Sequence, residues 1–229
     1  MLALKNDLSL VSLKRLAWVP NDESSLVAWY KNRTGITTAG SGLAPPVSQW
    51  ADSSLTDLHD MVQSTSLNQP VYDASGGKLT FDNSKPSYLQ TTSQISLTGD
   101  FTIGIRLDTD TDNGTILGDN TASGEFIKFS TVSQIRIKID GSYQNITLDS
   151  GTFGDNSIII TRASNVLTLY VEGIAQSTTP TLAGTADIDA IGIREASVNG
   201  YSGTISEIQI YSSASADLTT HINDRLVSL

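Results

Sequence analysis

The feature that most constrains the fold is a β-forming stretch between residues 156 and 211. It contains two runs rich in β-branched and aromatic residues, at 158–161 and 166–171, and the polar residues 162–165 between them are typical of a hairpin turn. In the second run Leu167, Leu169 and Val171 alternate with more polar residues, so one face of the strand is apolar and the other is more polar. The stretch therefore predicts one layer of an antiparallel sandwich.

The same strand pattern occurs earlier in the chain. Alternate residues between 101 and 107 are apolar, and this is the clearest strand of the sequence. Further strands are predicted at 116–117, 125–129 and 134–140, and in the last of these isoleucines face inward while basic residues face outward. The pair Asp140-Gly141 predicts a tight hairpin after it.

The two ends of the chain differ from this pattern. The apolar residues between positions 1 and 20 recur at no regular interval, and Pro20 would end a helix there. We therefore predict an arm at 1–20 rather than a strand. Near the other end Leu218, Ile222 and Leu226 recur every four residues, which predicts a short amphipathic closing helix. The predicted organisation is an arm at 1–20 and a single β domain at 21–229.

The composition excludes several classes of function. The net charge of -10 would repel a phosphate backbone, and no run of Lys and Arg offsets it, so we expect no nucleic-acid partner. The absence of cysteine excludes disulfides and thiolate metal sites. The start of the chain lacks the pattern of a signal peptide and no apolar run is long enough to cross a bilayer, so no membrane insertion is expected.

Two motifs resemble those of a known fold family. The residues Leu167-Thr-Leu-Tyr-Val-Glu-Gly173 resemble the pattern L-x-L-Y-V-D-G, and Gly203–Tyr211 resembles G-x-I-D-E-x-x-I-Y. Both patterns are typical of the laminin-G-like, concanavalin A-like jelly-roll family. The resemblance implies an all-β fold, a two-sheet antiparallel jelly-roll sandwich with an N-terminal arm and a short C-terminal helix.

A second resemblance concerns residues 13–30, which are similar to the start of virion proteins of tailed phages, particularly marine ones. It implies a non-enzymatic structural protein, a capsid decoration or fibre module made in the host cytoplasm and displayed on the virion surface. Its partners would be other virion proteins and further copies of the chain, and it would also bind host-surface glycans. A free lectin-like carbohydrate-binding module and a glycan-active hydrolase are the alternatives. The expected docking residues are the apolar side chains of the arm, Leu8, Leu10, Leu13, Leu16 and Trp18. An arm folded over its own sheet is an equally consistent interpretation of the same residues.

Glycan recognition needs an exposed aromatic ring with amide or carboxylate neighbours. Tyr143, Asn199 and Tyr201 are the candidates, although tyrosine is also common in half-buried strands. Catalysis is not expected, because Glu207 has no carboxylate at an alternate strand position and the Asp187-Ile-Asp189 segment lacks the glutamates of the related glycosidases. Both histidines are expected to be structural.

One segment resembles a cation-binding loop. Asp108, Asp110 and Asp112 place carboxylates at alternate positions before Gly114, as in loops that wrap calcium. The spacing departs from an EF-hand, and a solvated turn is the alternative interpretation. We therefore expect that the protein requires no cofactor. If this segment binds an ion, the expected ion is Ca²⁺.

Overall fold

The period-two stretches of the sequence form strands in the computed structural model, which describes residues 18–109, 114–120, 125–195 and 200–229. Short 3₁₀ turns lie at Pro20–Asp22 and Ser66–Asn68, and one α-helix, α1, spans Ala216–Leu226. The strands described, in chain order, are β1 Leu26–Tyr30, β2 Ile36–Thr38, β3 Val47–Trp50, β4 Met61–Val62, β5 Val71–Asp73, β6 Lys78–Phe81, β7 Leu89–Leu97, β8 Phe101–Thr109, β9 Thr115–Gly118, β10 Phe126–Thr131, β11 Gln134–Ile139, β12 Ser142–Thr147, β13 Asn156–Ala163, β14 Val166–Val171, β15 Ile174–Ala175, β16 Ala186–Ile191 and β17 Gly203–Tyr211.

These strands form two sheets. The back sheet has the order β15-β14-β13-β8-β17-β6-β5, with β1 also paired to β17. The front sheet has the order β12-β11-β10-β9-β16-β7-β4-β3-β2. The pairs are antiparallel, as in β13 with β8 and β16 with β7. The predicted fold class, an all-β two-sheet antiparallel sandwich with a C-terminal helix, is confirmed.

The core lies between the sheets and is built from the predicted inward residues. Ile103 and Ile105 of β8 are buried, as are Ile135 and Ile137 of β11, and they belong to one apolar cluster. Burying such side chains supplies about 1.5–3 kcal/mol each, which is the main driving force for closing the sandwich. The hairpin between β13 and β14 is tighter than predicted, because β13 continues to Ala163 and only two residues form the turn.

Helix α1 covers the outer face of the back sheet, which the strand pattern alone does not reveal. Ser215 caps the helix by accepting a hydrogen bond from the Leu218 backbone N–H, and the side chains of Leu218 and Ile222 pack on Ile159 of β13. The helix approaches so closely that a Cβ at Gly104 would overlap Ile222. The helix prediction is confirmed, and both faces of β8 are consequently buried over most of its length.

A buried carboxylate ties this helix to the sheet. Glu207 of β17 has no exposed surface, and Arg225 of α1 forms an ion pair with it. Its oxygens also accept hydrogen bonds from the Trp29 indole at 2.9 Å, the Gln209 amide at 2.8 Å and the Asn32 backbone at 3.1 Å. Glu207 is thus a structural anchor. Among the described residues, no helix is long and apolar enough to span a bilayer.

Candidate functional site

The outer face of the front sheet carries the candidate site. On the hairpin of β10 and β11, Lys128 lies opposite Arg136 and Phe126 lies opposite Lys138. On the next strand, β12, Tyr143 lies opposite Lys138. Because side chains alternate across a strand, the isoleucines between these positions fill the core and the polar residues share the outer face.

Two aromatic rings organise the basic side chains of this face. The Nζ atoms of Lys128 and Lys138 lie 5.7 and 5.5 Å from the centre of the Phe126 ring, and the Cζ atom of Arg194 lies 4.8 Å from it. The guanidinium of Arg136 lies 4.5 Å from the centre of the Tyr143 ring. Such contacts are favourable because the π face of an aromatic ring has a negative electrostatic potential that attracts a cation. We call Lys128, Arg136, Lys138 and Arg194 the cationic patch.

Arg194 reaches this patch from a different part of the chain. It follows β16, and the backbone at residues 193–194 passes directly over Gly118 of β9. A Cβ at Gly118 would overlap the Ile193 carbonyl and lie 2.9 Å from the Arg194 Cβ. Glycine at position 118 therefore allows the close approach that brings Arg194 over Phe126.

The cations of the patch repel one another, and Arg194 also forms an ion pair with Glu195 at 3.4 Å. Burial lowers the pKa of Lys128, and repulsion from Arg136 and Arg194 lowers it further. Like charges directly opposite each other on neighbouring strands are destabilising. An anion placed on this face would relieve that repulsion.

Two buried carboxylates belong to the same sheet, Glu125 immediately before β10 and Asp189 on β16. Glu125 accepts a hydrogen bond from the Asp140 backbone at 2.8 Å, and Asp189 accepts one from the Asn120 backbone at 2.6 Å. Burial raises the pKa of Glu125, with smaller contributions from neighbouring aspartates, and burial followed by repulsion from Asp119 raises that of Asp189. Each of these two carboxylates holds a backbone N–H by a hydrogen bond. Because their pKa values are raised, both are protonated more easily than ordinary carboxylates.

Amide side chains complete the face. The Asn120 amide donates a hydrogen bond to Gln90 of β7, and the Gln94 amide donates one to Asp119 at 3.4 Å. The sheet thus carries a half-exposed aromatic ring and cations on β10 to β12, and amides and carboxylates on β7, on β16 and after β9. Groups of these kinds orient polar ligands in binding sites.

The structure separates the predicted glycan-binding residues. Tyr143 lies on the candidate face with 53% of its surface exposed. Asn199 lies outside the described residues. The prediction is wrong for Tyr201, which is fully buried against Phe81 and Phe129 and donates a hydrogen bond to the Asp108 carbonyl at 2.9 Å. A ring without exposed surface cannot contact a sugar.

The predicted calcium segment lies mostly outside the described residues, which include Asp108 but neither Asp110 nor Asp112. Within the described ranges, no three acidic or histidine side chains are grouped as metal ligands would be. Asp82 and Asp100 lie at opposite ends of the back sheet and therefore do not share a site at its rim. Asp82 follows the β6 residue paired with Gly203, whereas Asp100 precedes the first residue of β8.

The docking residues Leu8, Leu10, Leu13 and Leu16 also lie outside the described residues. Trp18 packs on its own domain, with its ring stacked on His221 of α1 at 5.1 Å and its indole N–H donating to Glu23 at 3.1 Å. Trp18 thus contacts its own domain while keeping part of its surface exposed, and its role in docking stays a prediction.

The remaining histidine has a structural environment. His59 is nearly buried, its Nδ1 atom lies 2.7 Å from the Ser93 carbonyl, and its own carbonyl accepts the Tyr30 hydroxyl at 2.7 Å. Neither contact places the imidazole near a nucleophile.

Sequence reasoning missed three residues of the site, Phe126, Lys128 and Arg194. The outward basic residues of β11 were visible in the alternation, and the cross-strand position of Lys128 could have been inferred from the hairpin. Arg194 could not, because it is distant in sequence and joins the patch only through the approach over Gly118.

Comparisons with known proteins extend the fold assignment. The chain matches no family model and no curated protein sequence. A Trypanosoma rangeli sialidase in complex with 2,3-difluorosialic acid is similar over 90% of this chain and 33% of the sialidase, with 13% identity and a TM-score of 0.52. The receptor-binding domain of botulinum neurotoxin type G is similar over 90% of this chain and 51% of that domain, with 14% identity and a TM-score of 0.50. The NanB sialidase of Streptococcus pneumoniae is similar over 63% of this chain and 27% of its own, with 14% identity and a TM-score of 0.43.

The chain therefore spans a third or less of these sialidases and about half of the neurotoxin domain. At such identities the likeness concerns the fold alone. The protein belongs structurally to the class of all-β two-sheet sandwiches, which is consistent with a lectin-like jelly roll.

Proposed function

We propose that the protein is a non-enzymatic glycan-binding module and that the outer face of the front sheet is its binding surface. The observation that carries the proposal is the contrast between the two outer faces. Helix α1 covers the back sheet, whereas the front sheet presents the half-exposed Tyr143 ring beside the Asn145 amide and the cationic patch. Sugar rings pack on exposed aromatic faces while such polar groups bind their hydroxyls.

The fold neighbours are compatible with this function. One is a sialidase in complex with a difluorosialic acid and another is a receptor-binding domain. Since a fold hosts many functions, the argument depends on the groups of the face itself.

The test is a glycan array followed by titration calorimetry on the best ligand. Tyr143→Ala is expected to weaken binding about tenfold, which corresponds to about 1.4 kcal/mol of stacking and hydrogen bonding removed with the ring. Ile174→Ala is the matched control, because Ile174 is an exposed apolar side chain of the back sheet, 69% exposed. Unchanged affinity of the Tyr143 variant, or the absence of any glycan ligand, would contradict the proposal.

The proposed setting of this module is the surface of a phage particle. The support is the similarity of residues 13–30 to virion proteins of tailed phages. In that setting we expect other virion proteins and further copies of the chain as partners, with the arm at residues 1–20 as the docking segment. Mass spectrometry across a density gradient tests this: a fixed ratio to the major capsid protein is expected, and absence from intact particles would overturn the virion placement while leaving glycan binding standing.

A glycan-active hydrolase is the second candidate, because two carboxyl groups of the front sheet have raised pKa values, Glu125 immediately before β10 and Asp189 on β16. A raised pKa suits a carboxyl group that donates a proton to a leaving group. Against this, each carboxylate already accepts a hydrogen bond from a backbone N–H. Turnover of a bound glycan that disappears in Glu125→Gln would favour the hydrolase, and binding without turnover would favour the module.

A further inference from the structure

We propose that the cationic patch makes the front-sheet face selective for acidic glycans, in which carboxylate or sulfate groups accompany the sugar rings. This inference rests on the proposed glycan-binding function and specifies its ligand class. The chain has 24 acidic and 14 basic residues, yet four of the basic ones converge around Phe126 and Tyr143. The patch therefore opposes the overall charge of the protein.

The juxtaposition of Lys128 and Arg136 within the patch is unfavourable for folding. Lys128 faces Arg136 directly across the hairpin, and neutral polar residues at these outward positions would avoid the repulsion. Lys128 has only 7% of its surface exposed, so part of its hydration is also lost. Cation–π contacts with Phe126 offset some of this cost, and a bound anion would offset more of it.

Arg136 and Tyr143 define where an acidic sugar would bind. Arg136 donates its Nε–H to Asn145 at 2.9 Å and stacks on the Tyr143 ring. In the part of the chain that the structure describes, Arg136 forms no ion pair. Because a guanidinium has five N–H donors in a planar fork, its terminal nitrogens suit the two oxygens of a carboxylate or sulfate group.

The neighbouring side chains set the orientation of such a ligand. Lys138 lies between Phe126 and Tyr143 in the strand register, so it adds positive charge on the same side as Arg136. The acidic group is therefore placed toward β11 and β12, with a sugar ring against the exposed part of Tyr143.

The experiment measures the binding of the full chain to four probes at low and physiological salt. The probes are polygalacturonate oligosaccharides, which carry carboxylates, sulfated dextran, neutral dextran and single-stranded oligothymidylate. At least one acidic saccharide is expected to bind about tenfold or more tightly than neutral dextran, with an affinity that falls as salt screens the charges. Preference for polygalacturonate would identify the carboxylate as the recognised group, and preference for sulfated dextran would identify the sulfate.

Two variants of outward side chains locate the binding to the patch. Arg136→Gln and Lys138→Gln are each expected to weaken binding of the acidic saccharide about fivefold to tenfold, as for the loss of one charge-assisted contact. Lys85→Gln is the matched control, because it removes one positive charge from an exposed turn after β6. The circular dichroism spectrum and melting temperature of each variant confirm that the fold is retained.

The outcomes separate this inference from the function on which it rests. Binding of neutral glycans that is insensitive to Arg136→Gln would overturn acidic selectivity and leave glycan binding intact. Oligothymidylate bound as tightly as the acidic saccharides would also overturn it, since the patch would then attract any polyanion. Failure to bind any saccharide, here and on the glycan array, would refute both.

Discussion

Replacing Glu207 with glutamine tests whether the buried carboxylate anchors helix α1 to the back sheet. One oxygen of Glu207 accepts from Trp29, Gln209 and Arg225, and the other accepts from Asn32 and Arg225. A glutamine can retain only one acceptor oxygen, so its NH₂ group would face donors on the second side.

The magnitude follows from the hydrogen bonds that the amide cannot accept. The Asn32 backbone N–H and one N–H of Arg225 would be left without an acceptor, and hydrogen bonds to charged groups contribute about 1.5–3 kcal/mol each. Arg225 retains 20% exposure of its side chain and can recover some hydration. We therefore expect Glu207→Gln to lower the free energy of unfolding by about 3 kcal/mol, within the range for breaking a buried ion pair. For a chain of this size that corresponds to a fall of about 6–12 °C in melting temperature.

The assay is urea unfolding at neutral pH, supported by calorimetry, with Glu172→Gln as the control. Glu172 pairs with Arg106 at the surface, with 39% of its side chain exposed, so the same chemical change there should cost less than about 1 kcal/mol. A double-mutant cycle with Arg225→Gln should yield a coupling energy of about 1.5–3 kcal/mol. Equal destabilisation by Glu207→Gln and Glu172→Gln would refute the argument that burial of this carboxylate matters.

Gly118→Ala is expected to displace Arg194 from Phe126 and to destabilise the protein by about 1–3 kcal/mol. It should also weaken binding of acidic saccharides more than binding of neutral ones. Equal weakening for both ligands would exclude a specific effect on the patch. Glu125→Gln should stabilise the protein at neutral pH, because a carboxyl whose pKa is raised by folding opposes folding once it is ionised in the unfolded chain. That gain should disappear as the pH falls below the ordinary glutamate pKa of about 4.3, where both states are protonated. Urea unfolding at several pH values measures it, and a gain that persists in acid would contradict the assigned cause.

Much of the fold could be predicted from local patterns. The strands around Ile103 and Ile137, the hairpin at Asp140-Gly141 and the helix carrying Ile222 are each determined by residues close together in sequence. Their signals are a hydrophobic period, a turn that needs positive φ, and an apolar stripe. The φ angles of Asp140 and Gly141, 49° and 78°, satisfy the turn requirement.

The candidate site was only partly predictable. Tyr143 was recognised as an aromatic candidate, and the outward direction of Arg136 and Lys138 followed from strand alternation. Tyr201 was misassigned because a tyrosine in a polar loop sequence gives no local indication that its ring is buried. Its burial depends on packing against Phe81 and Phe129, which come from two other strands.

The sequence by itself determined the class of fold, because the alternation of apolar and polar residues decides which faces of the strands avoid water. Only the tertiary structure decided which outer face the C-terminal helix covers. Helix α1 covers the back sheet through contacts such as Ile222 on Gly104, and the front sheet gathers basic side chains from β10, β11 and the segment after β16. The physical reason is range: periodicity acts over neighbouring residues, whereas the cationic patch depends on the pairing and packing of segments distant in the chain.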